Sequence, residues 1–205
     1  MIAFLQARRT SKRFPDKIYQ ELNGAPVLFH AIARAKEATL VDQVVVIAPH
    51  ELPDIPEGVG YFVWDEGDEG DVLGRFAAAA QEYRPDYIVR LTADCPLLDP
   101  HLIDAVVHHA VGQDYVSNVL NTLTFPDGVD VEVFPRAMIH LLDQSVNGAF
   151  DREHVTTVLR NNPTVQESFE MTSIQSFEDY SGIKISIDTE ADLRRLRAME
   201  KRLFE

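Results

Sequence analysis

The chain has 205 residues, of which 45% are hydrophobic and 25% charged, a composition typical of a soluble globular protein with one substantial core. Its formal net charge of −14 argues against general binding to DNA, RNA or anionic membranes, because each of these carries charge of the same sign. Cys95 is the only cysteine, which excludes an internal disulfide, and no apolar run suits a signal peptide or a membrane span, so we expect a cytoplasmic protein.

Strand-like and helix-like stretches alternate along the first half of the chain. The predicted strands are short and mostly apolar on both faces, as in a parallel sheet that is covered on both sides. They span Ile2–Gln6, Gln43–Ala48, Tyr61–Trp64, Tyr87–Thr92 and Tyr115–Asn118, with a return strand at Lys184–Ile187. The predicted helices are Val27–Glu37, Val72–Tyr83 and Pro100–Val111, the last of them capped by Asp99. This alternation predicts an α/β protein, a three-layer α/β/α sandwich around a mostly parallel sheet.

Between about residues 120 and 171 the alternation loosens. Three valines alternate with two acids over residues 129–133, which predicts a strand with one exposed face. The elements predicted after it are helices at Pro135–Gln144 and Asp151–Arg160, a strand at Thr164–Met171 and a final helix with Leu193, Leu196, Met199 and Leu203 on its buried side. No linker interrupts the chain, so we expect residues 1–205 to form one domain, in which residues 120–171 build a substrate lobe or a dimer contact.

A basic loop follows the first predicted strand. Five of the 19 lysines and arginines fall within the first 17 residues, where Asp16 is the only acid. They are Arg8, Arg9, Lys12, Arg13 and Lys17. Open α/β sheets bind phosphates at this point of the fold, and such a cluster can offset the roughly −4 charge of a nucleoside triphosphate. A solvated basic loop is the alternative interpretation.

Two aspartates follow predicted strands that are far apart in the sequence. Asp94 comes just after the strand Tyr87–Thr92, and Asp188 comes directly after the return strand. Because open sheets place ligands at the carboxyl ends of their strands, the two carboxylates are candidates for holding one Mg²⁺ against phosphate oxygens. The spacing alone does not bring them together, and Asp94 is equally well explained as a turn residue. Thr189 and Asp192 resemble a capping box, which leaves Asp188 without a structural role.

Two segments within residues 120–171 carry side chains that suit a small polar substrate. Asp130 and Glu132 share the face of the alternating strand that we expect to be exposed, after a Pro-Asp-Gly turn signal. Further on, Asp151 can cap a helix, while Arg152 and His154 are candidates for contacting an acidic substrate. An ordinary hairpin and an ordinary capped helix are the alternatives.

Six short motifs follow one another along the chain. They are Gln6-Ala-Arg8…Ser11-x-Arg13-x-Pro15-x-Lys17, Asp71-Val-Leu-x-Arg75-Phe, Arg90-Leu-Thr-x-Asp94-Cys-Pro-Leu, Gly128-x-Asp-Val-Glu132-Val-Phe, Asp151-Arg-Glu-His154 and Ile187-Asp188-Thr. In this order and spacing the set resembles the cytidylyltransferases that activate acidic sugars, and most of all their spore-coat polysaccharide biosynthesis branch, which is related to the acylneuraminate and Kdo cytidylyltransferases. The resemblance extends from Ile2 to about Leu203.

The resemblance implies a nucleotide-diphosphosugar-transferase (GT-A-like) Rossmann fold. It also implies transfer of CMP from CTP to a sugar, with an acidic sugar favoured, and release of pyrophosphate in surface polysaccharide biosynthesis. The implied cofactor is Mg²⁺, the implied partners are CTP and a small sugar, and the implied assembly is a homodimer.

The resemblance also assigns roles to individual residues. Nucleotide binding would fall to Gln6, Ala7, Arg8, Ser11, Arg13, Lys17, Asp71, Arg75 and Asp94. Arg8, Lys17 and Asp94 would be catalytic. The metal would be held by Asp94 and Asp188. The sugar would be bound by Glu132, Asp151, Arg152 and His154.

Two other functions stay open at this point. A GT-A-type glycosyltransferase would use a nucleotide sugar as donor and would commonly hold its metal through an Asp-x-Asp pair, which Asp114 followed by Ser117 does not match. A catalytically inactive homologue would bind the nucleotide or a partner enzyme. Thr10 and Asp16 favour this last alternative, because the family usually or often has Gly at these positions and Gly lets the backbone approach phosphate closely.

Overall fold

The computed structural model describes residues 1–203, with side chains as far as residue 199. The strands in this range are β1 (Ile2–Gln6), β2 (Glu21–Leu22), β3 (Ala25–Pro26), β4 (Gln43–Ala48), β5 (Gly60–Val63), β6 (Tyr87–Thr92), β7 (Tyr115–Ser117), β8 (Glu132–Pro135) and β9 (Met171–Ser173). The α-helices are α1 (Val27–Glu37), α2 (Val72–Tyr83), α3 (Pro100–His108), α4 (Arg136–Ser145), α5 (Ala149–His154), α6 (Thr157–Asn161), α7 (Pro163–Gln166) and α8 (Glu190–Leu203).

Seven strands form one sheet in the order β5-β4-β1-β6-β8-β7-β9, and β2 and β3 form a separate pair. β1 pairs in parallel with β4 and β6, whereas β8 runs antiparallel to β6 and β7. The carboxyl ends of β1, β4, β6 and β7 and the amino end of β8 therefore meet at one edge of the sheet. Open α/β sheets bind their ligands at this carboxyl edge.

Both faces of the sheet are covered, which confirms the predicted three-layer arrangement. Leu5 and Val46 face α1 and α3 on one side, and Phe4 and Ile47 face α2 and α4 on the other. Neighbouring strand residues point to opposite faces, so both Phe4 and Leu5 are fully buried. The buried centre of the sheet therefore provides rigid support for the loops at its carboxyl edge.

The first half of the chain follows the predicted boundaries closely. α1 and α2 begin and end as predicted, and the bounds of β5 and β7 shift by a single residue. Asp99 caps α3 as expected, since its carboxylate accepts a hydrogen bond from the His101 backbone N–H at 2.9 Å. α3 ends at His108 rather than Val111, because the chain then turns through Gly112, whose φ of 84° favours glycine.

The predicted strands Lys184–Ile187 and Thr164–Met171 are wrong. Lys184 forms one isolated bridge, to Asp127, and the residues after it bind neighbouring loops instead of a ladder. Residues 163–166 form α7, which the Asn162 side chain caps, and β9 begins only at Met171. An Asn cap followed by Pro is a helix-start signal that outweighs the apolar alternation there.

The predicted helix Asp151–Arg160 is broken at Val155. The Val155 backbone has φ 61° and ψ −61°, and the Thr156 N–H donates to the His154 carbonyl at 2.6 Å, which closes a tight turn between α5 and α6. This conformation is unfavourable for a β-branched residue, but the Val155 side chain is fully buried and holds the turn in place.

Helix α8 packs its amino-terminal half on the rest of the molecule. Leu193 and Leu196 are buried as predicted, against a small cluster that includes Ile187. Met199 is 41% exposed, contrary to prediction, because the cluster that receives the helix ends at Leu196. The side chain of Leu203 lies outside the described residues. Among residues 1–203, no helix has the length and apolar character needed to cross a membrane.

Candidate active site

The basic loop leaves β1 at the carboxyl edge and folds back on itself. Gln6 and Ala7 hold its start, because the Gln6 carbonyl accepts from the Ala93 N–H and the Ala7 N–H donates to Ile47, both at 3.0 Å. Its end is closed by the Asp16 N–H, which donates to the Arg9 carbonyl at 2.8 Å. Asp16 has φ 55°, a left-handed conformation that Asp tolerates better than most residues. Gly would adopt the same backbone conformation without steric cost.

Lys17 lies at the centre of the candidate site. It begins a short 3-10 turn, Lys17–Tyr19, and only 8% of it is exposed. Its Nζ lies 2.5 Å from Asp94 Oδ2 and 3.1 Å from Asp188 Oδ1. The two aspartates that the sequence separates by 94 positions therefore contact one ammonium group.

Backbone contacts bring Asp188 to Asp94. The Ile187 N–H donates to the Asp94 carbonyl at 2.9 Å, directly joining the two loops. On the other side, the Ile185 and Ser186 N–H groups donate to the Asp127 carbonyl. Gly128 makes this approach possible, because a Cβ on it would collide with the Ser186 backbone nitrogen. Residues 184–188 are thus clamped across the carboxyl edge, although they add no strand to the sheet.

The predicted capping box fixes the chain after Asp188. Asp192 Oδ2 accepts hydrogen bonds from the N–H groups of Asp188 and Thr189, at 3.1 and 2.9 Å. Thr189 Oγ1 and Arg195 also donate to this carboxylate. Burial by itself would raise the pKa of Asp192, but these hydrogen bonds outweigh it and lower the pKa to about 2.

Three cations surround Asp188. Besides Lys17, Lys184 Nζ lies 2.7 Å from Oδ2 and Arg13 Nη2 lies 3.0 Å from Oδ1. Burial would raise the pKa of Asp188, yet the hydrogen bonds from Lys184 and Lys17 hold it below its usual range. This carboxylate is therefore charged at neutral pH and already suited to cationic partners.

Arg8 contacts helix α5 across the mouth of the site. Its Nη2 lies 3.0 Å from Glu153 Oε1, and both side chains are about 40% exposed. Glu153 lies between Arg152 and His154, two of the three residues of this helix that the sequence singles out, and was not itself predicted to take part. Ser11 is almost buried, and its Oγ accepts a hydrogen bond from the Phe14 N–H at 3.4 Å, which shapes the loop.

Asp71 and Arg152 bind each other. Asp71 caps α2 by accepting from the Gly74 N–H at 3.0 Å. Arg152 donates to both of its carboxylate oxygens, at 2.8 and 2.9 Å, and also to Asp143 Oδ1 at 2.7 Å. Its remaining Nη1 donates to the carbonyls of Asp143 and Val146. The donors of this guanidinium are thus occupied in fixing α5 against α2.

Arg75 lies inside the fold, only 1% exposed. Its Nη2 donates to the Glu69 carbonyl at 2.8 Å, and its buried Nε has no partner in the described part of the chain. Burial lowers the pKa of Arg75 to about 10, although the negative charge of Glu69 raises it and offsets part of this effect. It is therefore placed to stiffen the loop before α2, to which Glu69 belongs.

Glu132 is buried, contrary to the predicted exposed face. It receives hydrogen bonds from Arg90, Tyr115 and Thr156, and Arg160 Nε lies 3.9 Å from its Oε2. Burial would raise its pKa, but the positive charges of Arg90 and Arg160 outweigh it and lower the pKa. The prediction that Glu132 lies on an exposed face is wrong because β8 is an interior strand, covered on both faces.

The other two predicted sugar-binding residues lie on α5. Asp151 Oδ1 accepts a hydrogen bond from Thr157 Oγ1 at 2.7 Å, which ties α5 to α6 across the Val155 turn. The exposed ring of His154 lies 4.5 Å from the ring of Phe150. Neither side chain contacts Asp94 or Lys17, so the structure does not bring all the predicted site residues into one cluster.

A cavity of about 260 Å³ opens beside the aspartate pair. It is lined by Asn118, Val119, Leu123, Phe125, Pro126, Asp127, Asp130, Arg160 and Ser181. Asp127 joins it to the pair, because Lys184 Nζ contacts both Asp127 Oδ2, at 3.1 Å, and Asp188. Asn118 and Arg160 were not predicted to line the site, since neither lies in a motif and the Val155 turn, which sets the direction of α6, has no sequence signal.

The aspartate pair fits a magnesium ion only in combination with phosphate. The described residues contain no group of three or more His, Cys, Asp or Glu side chains able to hold a metal. Asp94 and Asp188 share one cationic partner, the Lys17 Nζ, and two carboxylates are a donor set that Mg²⁺ takes when substrate phosphates complete its coordination. Asp94 and Asp188 would therefore form half of such a site.

Known proteins resemble this chain in sequence and in fold. The chain is 28% identical over 219 residues to the spore coat polysaccharide biosynthesis protein SpsF of Bacillus subtilis, covering 100% of this chain and 88% of that protein. A cytidylyltransferase from Leptospira borgpetersenii superimposes with a TM-score of 0.89 at 28% identity, covering 100% of this chain and 88% of the other. A CMP:2-keto-3-deoxy-manno-octonic acid synthetase solved with CTP shares the fold, with a TM-score of 0.70 at 15% identity over 98% of both chains.

A sequence model of the family described as Cytidylyltransferase matches residues 2–205, almost the whole chain. That match agrees with the α/β/α fold. The chain belongs to the cytidylyltransferase family and is a nucleotidyltransferase.

Proposed function

We propose that the protein transfers CMP from CTP to a sugar and releases pyrophosphate. The observation that carries this proposal is Lys17, which lies between Asp94 and Asp188 at the carboxyl edge, with Arg13 on the same Asp188 oxygen. Cations paired with carboxylates in this way can exchange partners when a metal-bound triphosphate arrives. Family membership supports CTP as the nucleotide.

The residues divide the work as follows. Asp94 and Asp188 would hold Mg²⁺, which when bound neutralises charge on the phosphate oxygens. Lys17 would then move from the two carboxylates to the phosphates. Arg8 would exchange Glu153 for the triphosphate and stabilise the pyrophosphate that leaves. Most of the rate would come from positioning and charge neutralisation rather than from covalent catalysis.

The rest of the nucleotide would lie along the first loop and α2. Gln6, Ala7, Ser11 and Arg13 would supply the loop, while Asp71 and Arg75 would support it from α2. The Gln6 Oε1 is buried without a partner in the described residues, as expected of an acceptor kept for a ligand. We therefore include Gln6 among the nucleotide contacts.

We further propose that the sugar carries a carboxylate and binds in the cavity beside the aspartate pair. Arg152 is occupied by Asp71 and Asp143, and Arg75 is buried, so neither is free for an acidic substrate. Arg160 lines the cavity, and its guanidinium has no hydrogen-bond partner among the described residues, although its Nε lies 3.9 Å from Glu132. A guanidinium fork matches a carboxylate. Glu132, Asp151 and His154 would then contribute to sugar binding indirectly, by positioning the α5–α6 turn beside the cavity.

The names of two relatives narrow the choice of sugar and process. The SpsF relative is named for spore coat polysaccharide biosynthesis, and the synthetase with the same fold is named for 2-keto-3-deoxy-manno-octonic acid. We propose a role in surface polysaccharide biosynthesis, carried out in the cytoplasm. We also propose that residues 1–205 form one domain and that residues 120–171 form the contact of a homodimer, with sedimentation velocity as the test of the dimer.

The decisive experiment is a pyrophosphate-release screen. Each of the four common nucleoside triphosphates is incubated with Mg²⁺ and a panel of acidic and neutral sugars that includes 2-keto-3-deoxy-manno-octonic acid. We expect release with CTP and a carboxylated sugar. Release with another nucleotide or a neutral sugar would correct the substrate, and turnover of a nucleotide sugar without pyrophosphate would favour a glycosyltransferase. CTP binding without any turnover would favour an inactive homologue.

A further inference from the structure

The cavity and the aspartate pair share a wall. Lys184 contacts Asp127 on the cavity side and Asp188 on the other. Cys95, which follows Asp94 directly, is close enough to both to respond to their charges: burial raises the pKa of its thiol, and the charges of Asp94, Asp130 and Asp127 raise it further. A sugar in the cavity would therefore lie next to the proposed triphosphate site, with Asp130 in the wall on the sugar's side.

The two acids that line the cavity differ in how they are bound. The Asp127 carboxylate accepts hydrogen bonds from Lys184 Nζ at 3.1 Å and from Ser186 Oγ at 2.8 Å. Asp130 has no side-chain donor among the described residues, and the backbone N–H of Gly128 is the one hydrogen-bond donor beside it. Asp130 thus keeps acceptor positions free inside the cavity, whereas Asp127 is committed to the clamp.

We propose that Asp130 is the general base that accepts the proton of the attacking sugar hydroxyl. This inference rests on the proposed function. The hydroxyl oxygen forms a bond to the α-phosphorus of CTP, the bond from that phosphorus to the oxygen bridging to the β-phosphate breaks, and pyrophosphate leaves with the electron pair. The hydroxyl proton passes to a carboxylate oxygen of Asp130 and from there to solvent through the mouth of the cavity.

The surroundings of Asp130 suit a base that works near neutral pH. Burial raises its pKa to about 6, with further contributions from Glu132 on β8 and Asp127 on the loop. The Gly128 N–H and the charge of Arg90 on β6 lower it in part. A base is most effective when its pKa lies close to the working pH, because it is then both deprotonated and able to take the proton.

The test is Asp130→Asn, with Asp54→Asn as the matched control. Asp54 is exposed, has φ 57°, which Asn also tolerates, and lies outside the site, so the control makes the same chemical change without touching the cavity. For the wild type we expect kcat/KM for the best acceptor of the screen to rise with pH through about 6 and then to level. Asp130→Asn should lose about 10²- to 10⁴-fold in kcat, lose this acid limb and keep the CTP affinity of the wild type.

The outcomes separate this inference from the proposed function. Wild-type turnover together with an Asp130→Asn variant that keeps its rate or its acid limb would overturn the inference alone. A variant that loses CTP affinity as well would assign Asp130 a structural role and also overturn it. No pyrophosphate release by the wild type with any sugar would overturn the proposed function, and the assignment of Asp130 with it.

Discussion

Two carboxylate centres at the same edge of the sheet have opposite properties. Asp94 and Asp188 keep 26% and 24% of their side chains exposed and are paired with cations that reach in from loops. Glu132 is 2% exposed and is bound by groups from β6, β7 and the α5–α6 turn. The proposed exchange of the first centre's partners for a metal and phosphates would therefore cost little in packing. The second cannot, because any partner lost from a buried charge leaves it unsatisfied.

The largest expected effect breaks the exchangeable centre. Asp94→Asn removes one of the two carboxylates proposed to hold Mg²⁺, so we expect kcat to fall at least about 10³-fold, a loss at the upper end of those seen when one electrostatic contact to a transition state is removed. The fold should stay intact, because Asp94 is partly exposed and its backbone carbonyl still accepts from Ile187. Pyrophosphate release measures the first effect and thermal unfolding the second. Unchanged turnover would refute the metal assignment.

The next effect breaks the buried centre. Glu132→Gln removes the charge that balances Arg90 and Arg160, so we expect the free energy of unfolding to fall by about 3–5 kcal/mol in urea denaturation. Glu178→Gln is the matched control, since Glu178 is exposed and contacts only Tyr180 among the described residues, and it should change stability by less than about 0.5 kcal/mol. Equal stability of the two variants would show that the Glu132 network is not a structural centre.

A smaller effect is expected at Asp192, whose carboxylate accepts hydrogen bonds from the backbone N–H groups of Asp188 and Thr189. The pKa of Asp192 is lowered from 3.8 to about 2 in the folded protein, so its stabilisation is complete above about pH 4 and is lost as the pH falls through 2. Asp192→Asn should therefore lower the free energy of unfolding by about 1–2 kcal/mol at pH 7, and by progressively less toward pH 2. Urea denaturation of both proteins at pH 7, 4 and 2.5 measures this. A difference that does not vary with pH would contradict the assigned cause.

The smallest effect concerns Asp16, in the phosphate loop. Its ion pair with Arg9 is about half exposed on both sides, and its backbone is already left-handed. Asp16→Gly removes a weak surface ion pair but also relieves the unfavourable left-handed conformation. The two effects oppose each other, so the free energy of unfolding should change by no more than about 0.5 kcal/mol. The kcat should stay within about threefold of the wild type. A large gain in kcat would show instead that Asp16 impairs this chain.

Much of the fold and part of the site follow from local patterns. The predicted bounds are confirmed for three strands and two helices, β1, β4, β6, α1 and α2. A short apolar run between two helical stretches usually forms a strand of a parallel sheet that is covered on both faces. The basic loop and Asp94 were found for the same reason, since residues after a strand must lie at its carboxyl edge. Glu132, Lys184–Ile187 and the Asp151–Arg160 helix were misjudged, because their environment comes from residues distant in the sequence.

The sequence by itself determined the alternation of strands and helices, the excess of cations after β1 and the order of motifs that marks the family. Only the tertiary structure decided that Asp94 and Asp188 meet at Lys17, that Arg152 is engaged with Asp71, and that Arg160 and Asp130 share a cavity. Local patterns report which way a side chain points within its own element. Partnership between distant side chains depends on how loops cross the sheet edge, which here rests on the close approach of Gly128 to Ser186 and the buried turn at Val155.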